Sequence, residues 1–84
     1  MDNPFDKAVA AALRGKQAEK DIPLYVVAEA TEIPVRTLIR YMKGQRPIPL
    51  SKMIAIAGAI GEDASVIVKA AVESVQVAQQ QQRV

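Results

Sequence analysis

The chain has 84 residues and a net charge of +2, with 11 Lys and Arg against 9 Asp and Glu, a length that makes one domain and not two. It contains no cysteine and no histidine, which excludes a disulfide framework, thiol chemistry and the usual zinc sites. The longest apolar run, Met53 to Ile60, falls far short of the ~20 residues of a membrane span, and the polar, acidic start MDNPFDK has no signal-peptide character. A cytoplasmic protein is expected.

Five helices are predicted in chain order. Asn3-Pro4 reads as a cap and first helical residue, because Asn can bond orphan amides and proline has no amide to lose. Phe5, Val9, Ala12 and Leu13 then form one apolar stripe, so the first helix is placed at 4–19. A second, short helix follows Pro23 over 24–31, with Val27 and Ala28 inward. Ile33-Pro34 ends it, since a residue before proline is pushed out of the helical region. The third helix spans 35–43 and stops at Gly44; the segment QRPIP is an extended loop. The fourth runs over 50–60, with Leu50, Met53, Ile54, Ala57 and Ile60 on its stripe, and Gly61 is a natural stop because it tolerates positive φ. Asp63 caps a fifth helix that starts near Ala64 and reaches the high seventies, its stripe being Ile67, Ala71, Val75 and Ala78 with Val68 and Val72 beside it. The end, QVAQQQQRV, is polar and low in complexity. Residues 1–76 are therefore expected to form one all-α domain and 77–84 a flexible, Gln-rich tail.

Charge is unevenly spread. Residues 1–33 sum to −2, residues 34–52 to +5 without one anion, and residues 53–84 to −1. A positive block between two acidic ones creates a local field that attracts polyanions. Catalysis has little to work with. No phosphate-binding glycine loop is present, and Glu29 and Glu32, three apart at a helix end, read as surface charge. No cofactor, metal or small-molecule ligand is implied.

Two readings of the third helix compete. Amphipathicity alone buries Val35, Leu38, Ile39 and Met42 and leaves Arg36, Arg40 and Lys43 in water. The order of elements offers another. From Tyr25 to Gly44 the chain reads YVVAEATEIPVRTLIRYMKG, a short helix, a tight break, a second helix and a glycine stop. The downstream GQRPIPLSKMIAIAGAIGEDASVIV adds a loop, a fourth helix and a Gly-acid lead into a fifth. Over roughly residues 5–72 this resembles the lambda-repressor-like (Cro/XRE-type) helix-turn-helix family of bacterial and phage regulators.

The resemblance implies a compact five-helix domain whose third helix lies in the DNA major groove, braced by the second. Leu38 and Tyr41 then point inward. Val35, Arg36, Ile39 and Arg40 face the bases, and Tyr25, Pro34, Thr37, Lys43, Gln45 and Arg46 meet the DNA backbone. Val35 and Ile39 suit the thymine methyl, and an arginine can grip guanine bidentately; whether Arg36 and Arg40 hold bases or phosphates stays open. Where the two readings disagree, on Val35 and Ile39, the family register is followed. The implied function is a sequence-specific regulator of transcription, of the repressor or Cro kind. It would occupy double-stranded operator DNA as a homodimer in the bacterial cytoplasm, associated with the nucleoid. The fifth helix is the candidate dimer surface, through Val66, Val68, Val72 and Val75. The sequence departs from the family pattern at Leu24, where Gln is common, and at Glu32, where glycine is common and a side chain is strained by on the order of 1 kcal/mol. These departures keep an alternative open: a protein-interaction module, an antirepressor, antitoxin-like subunit or host-factor binder, on the same scaffold. A basic element for an anionic membrane is the third and least favoured reading.

Overall fold

The computed structural model describes the backbone of residues 3–82 and the side chains of residues 3–79. Five helices account for nearly all of it: α1 (Pro4–Glu19), α2 (Leu24–Thr31), α3 (Val35–Met42), α4 (Leu50–Ala59) and α5 (Ala64–Gln82). Their boundaries follow local chemistry. The Asn3 side-chain carbonyl accepts from the Phe5 amide at 2.8 Å and opens α1. The Asp63 carboxylate accepts from the Ser65 amide at 2.9 Å and the Ser65 hydroxyl at 2.8 Å at the start of α5.

Three helices stop in the same way. A residue with positive φ follows the C-cap, at Asp21 (56°), Gly44 (71°) and Gly61 (73°). In each case the next amide reaches back to a carbonyl of the last turn: Ile22 to Gln17 at 3.2 Å, Gln45 to Arg40 at 3.0 Å, and Glu62 to Ala57 at 2.8 Å. This pairing satisfies the orphan carbonyls of the helix end and sets the exit direction of the chain. Lys43 and Ile60 are consequently caps, so α3 and α4 each end one residue earlier than their periodicity predicts.

The core lies between α1 and α5 on one side and α2, α3 and α4 on the other. Leu13, Val27, Leu38, Ile56, Ile60 and Ile67 are its largest fully buried side chains. Two expected stripes are corrected. On α4, Leu50 and Ile54 are 67% and 51% exposed, while Ile56 is fully buried. This helix is apolar around most of its circumference, and its neighbours α2 and α5, not its own period, select the buried side. On α1, Phe5 is partly exposed and Ala10 is fully buried, because small Ala10 sits where α3's exit loop crosses closely. The segment from Val77, expected as a flexible tail, continues α5 in helical form as far as Gln82; Arg83 and Val84 lie outside the described residues. No helix among the described residues is long and apolar enough to cross a membrane.

Candidate nucleic-acid interface

α2 and α3 are joined by a break of three residues. The Thr31 hydroxyl donates back to the Val27 carbonyl at 2.7 Å, and the Ile33 amide donates to the same hydroxyl oxygen at 3.4 Å. Glu32 takes the left-handed conformation, φ 59° and ψ 24°, which a β-carbon disfavours. Ile33 drops into the core and anchors the turn. Pro34 precedes the first residue of α3 as its N-cap, in extended conformation and without a side-chain hydrogen bond; its carbonyl accepts from the Leu38 amide at 2.9 Å.

The rotation of α3 decides between the two sequence readings. Leu38, Tyr41 and Met42 are buried, and Val35 is 48% exposed. Arg36 and Arg40 are exposed, while Thr37 and Ile39 are half-buried at the edges. Simple amphipathicity therefore errs on Val35 and omits Tyr41. The helix turns Leu38 and Tyr41 inward and Val35 outward, as the family register implies, while Ile39 is shared between core and surface. Among the described residues no salt bridge neutralises Arg36, Arg40 or Lys43. Two ion pairs among the described residues, Lys16 with Glu19 at 3.7 Å and Lys20 with Glu62 at 3.1 Å, lie on other surfaces.

Beyond α3 the cationic surface continues into the loop. Gly44 sits against α1, where an added β-carbon would lie 3.5 Å from Lys7 Cγ and 3.7 Å from Ala10 Cβ. The Arg46 guanidinium stands 5.8 Å from the centroid of the Tyr41 ring, a cation–π distance that restrains a long, entropically costly side chain. Lys43, Gln45 and Arg46 are exposed together on this loop, and Tyr25, at 67% exposure, stands out from the first turn of α2.

One contribution is absent from the sequence reading. The Arg14 guanidinium of α1 donates to the Met42 carbonyl, placing a cation on the last carbonyl of α3, where the helix dipole favours it. Lys7, one apolar-stripe period earlier, packs on Gly44. The seven-residue spacing of Lys7 and Arg14 marks one helical face, but the segment they meet, Met42 and Gly44, lies 28 residues from Arg14 and further still from Lys7, and no local signal identifies it.

The four residues assigned to dimerisation do not form one surface. At 100° per residue, Val68, Val72 and Val75 fall within about 60° on α5, whereas Val66 falls roughly 120° or more away. Val68 lines an apolar hollow of about 290 Å³ with Phe5, Ile48, Leu50 and Met53. Val75 instead faces α1. Val66 and Val72 are 41% and 38% exposed.

Five helices, no strand among the described residues, and a tight break between α2 and α3 make this an all-α, helix-turn-helix domain. Solved structures that share its fold include two of the clp gene regulator ClgR from Corynebacterium glutamicum. One superposes with a TM-score of 0.82 at 24% identity, covering 99% of this chain and 90% of that one. The other gives a TM-score of 0.78 at 24% identity, covering 83% and 91%. No protein-family model matches the sequence, and no curated protein sequence is similar to it.

Proposed function

We propose that the chain is a sequence-specific double-stranded-DNA-binding regulator of transcription, of the repressor or Cro kind, which reads the major groove with α3. The observation that carries this reading is the rotation of α3. An aliphatic side chain, Val35, is left in solvent beside two unpaired arginines on one face of the second helix of a helix-turn-helix. A surface helix with no partner would gain by burying that valine; a helix that reads bases can use it against a thymine methyl. The likeness in fold to the clp gene regulator ClgR is in keeping with the reading.

In this reading Val35, Arg36 and Arg40 face base edges with Ile39 at the margin. Lys43, Gln45 and Arg46 meet phosphates beyond the helix, and Tyr25, Pro34 and Thr37 flank them. Two copies meet across Val68 and Val72, joined by Phe5 and Leu50, to set two α3 helices on successive major grooves. The alternative of a protein-interaction module draws support from the exposed apolar Val26, Leu50 and Ile54.

A salt titration on duplex DNA separates the two. A DNA regulator loses affinity with a log–log slope of about −0.9 per phosphate neutralised, and Val35→Asp leaves it folded but unable to bind. Absence of DNA affinity at ~50 mM salt, where nonspecific attraction is still strong, excludes the regulator and favours the interaction module.

A further inference from the structure

We infer that Arg14, a residue of α1 with no assigned DNA contact, is a positioning residue for DNA recognition: it locks the loop that leaves α3, so that Lys43, Gln45 and Arg46 meet phosphates from a backbone already ordered. This rests on the DNA-binding reading of α3. The last carbonyls of that helix are all engaged. Ile39's accepts from the Lys43 amide at 3.0 Å, Arg40's from Gln45 at 3.0 Å and Tyr41's from Gly44 at 3.1 Å. Met42's accepts from the Arg14 guanidinium, a donor that belongs to another helix. A terminal carbonyl without a partner must turn to water for one, which loosens the end of the helix. A cation set on it also meets the negative end of the helix dipole.

The loop is held to the same side of α1 at a second point. Lys7, Ala10 and Arg14 are spaced i, i+3, i+7 and share one helical face, and Gly44 sits against the first two. Its φ of 71° turns the chain there, so Gln45 and Arg46 leave from a fixed point. The Arg46 guanidinium then lies 5.8 Å from the centroid of the buried Tyr41 ring. Without the Arg14 contact this segment would be ordered only on binding, at a cost subtracted from the affinity. With it the ordering is complete once the chain has folded.

The test compares the full chain with Arg14→Met, which keeps an unbranched stem and removes the donor, and with Arg14→Lys, which keeps a cation. Arg14 is exposed, so both variants are expected to fold, which circular dichroism checks. In Arg14→Met the Gly44 and Gln45 amides are expected to exchange with solvent about tenfold faster, as the loss of one hydrogen bond to a charged group allows. The Leu38 amide, in the first turns of α3, is expected to keep its rate. Affinity is expected to fall about fivefold on every duplex, the cost of ordering the segment on binding. The log–log salt slope should stay the same, because the same phosphates are neutralised once the complex forms. Arg14→Lys is expected to recover part of both losses. A slope reduced by about 0.9 with unaltered exchange overturns the inference, since Arg14 is then itself a phosphate contact. Faster loop exchange with unchanged DNA affinity also overturns it, as does exchange that rises equally along the whole chain, the mark of a merely structural residue. If Arg14→Met does not fold, Arg14→Lys decides: loosened loop amides with weakened binding support the role, and either one without the other overturns it. An unaltered chain with no affinity for duplex DNA at ~50 mM salt overturns the DNA reading, and the role in recognition with it; faster exchange at Gly44 and Gln45 in Arg14→Met then still supports the lock.

Discussion

Arg36 and Lys43 are both exposed cations, but they stand on different frames and are expected to fail differently. Arg36 projects from the first turn of α3, within reach of a base edge in the proposed complex. Arg36→Ala should relax preference at one operator position, at a cost of about 1–3 kcal/mol. Lys43 lies past the last turn, so Lys43→Ala should weaken all sequences alike and reduce the salt slope by about one. Binding constants for operator and random duplexes at several salt concentrations check both. Glu32 presents a separate opportunity. Its left-handed backbone, φ 59°, is strained by its β-carbon, so Glu32→Gly should raise stability by up to about 1 kcal/mol in urea denaturation, partly offset by the greater chain entropy of glycine. It also removes an anion from beside α3, so nonspecific DNA affinity should rise. Asp21, in the same conformation, should gain less, because aspartate tolerates that region better. The left-handed turn at Glu32 was legible only through the family resemblance; composition and periodicity give no reason to place it there.

The helices themselves were legible because what starts and stops them is local. Asn3, Asp63, Gly44 and Gly61 act on amides and carbonyls within a few residues, so their effect can be read without knowing the tertiary structure. The sides the helices bury were less so. α3 was oriented correctly by resemblance and incorrectly at Val35 by its own apolar period, because the interior that claims Tyr41 and Met42 belongs to other elements. α4 presents apolar residues on most of its surface, and only the positions of α2 and α5 single out Ile56 over Ile54. The start of α5 carries a pH prediction. Hydrogen bonds from the Ser65 amide and hydroxyl hold the Asp63 carboxyl below the ordinary aspartate pKa. A depressed folded-state pKa stabilises above the unfolded value, near 3.9, and that contribution is lost as pH falls through the lower folded value. Asp63→Asn should therefore lower stability at neutral pH and flatten its decline in acid. Thermal unfolding of both proteins from neutral to acidic pH measures this, and equal acid dependence would remove Asp63 from the cap.

The molecule is elongated, 44 × 25 × 20 Å, so a helix at one edge of its short dimensions can lie close to half of a ≈34 Å DNA turn from an axis at the opposite edge. In the proposed dimer, the exposed Leu50 beside the hollow bordered by Phe5 and Val68 supplies both a protrusion and a recess, as a two-fold contact requires of a single surface. Leu50→Glu combined with Val72→Glu should leave the fold intact, since both are already exposed. It should abolish cooperative occupation of paired half-sites while sparing single ones; sedimentation and gel-shift measurements on both probes decide it. Val66→Glu, on the other side of α5, should leave pairing unaffected. α1 supplied no recognisable functional signal in the sequence, yet it is the element that reaches both ends of the fold's logic. It packs along α5, holds the Met42 carbonyl through Arg14 and receives Gly44 against Lys7 and Ala10. Under the proposed function, a genetic screen for variants defective in promoter control should consequently return substitutions at Ala10, Leu13 and Arg14 alongside those in α3. The residues of α1 would be recovered as regulatory mutants although none of them is assigned to the DNA.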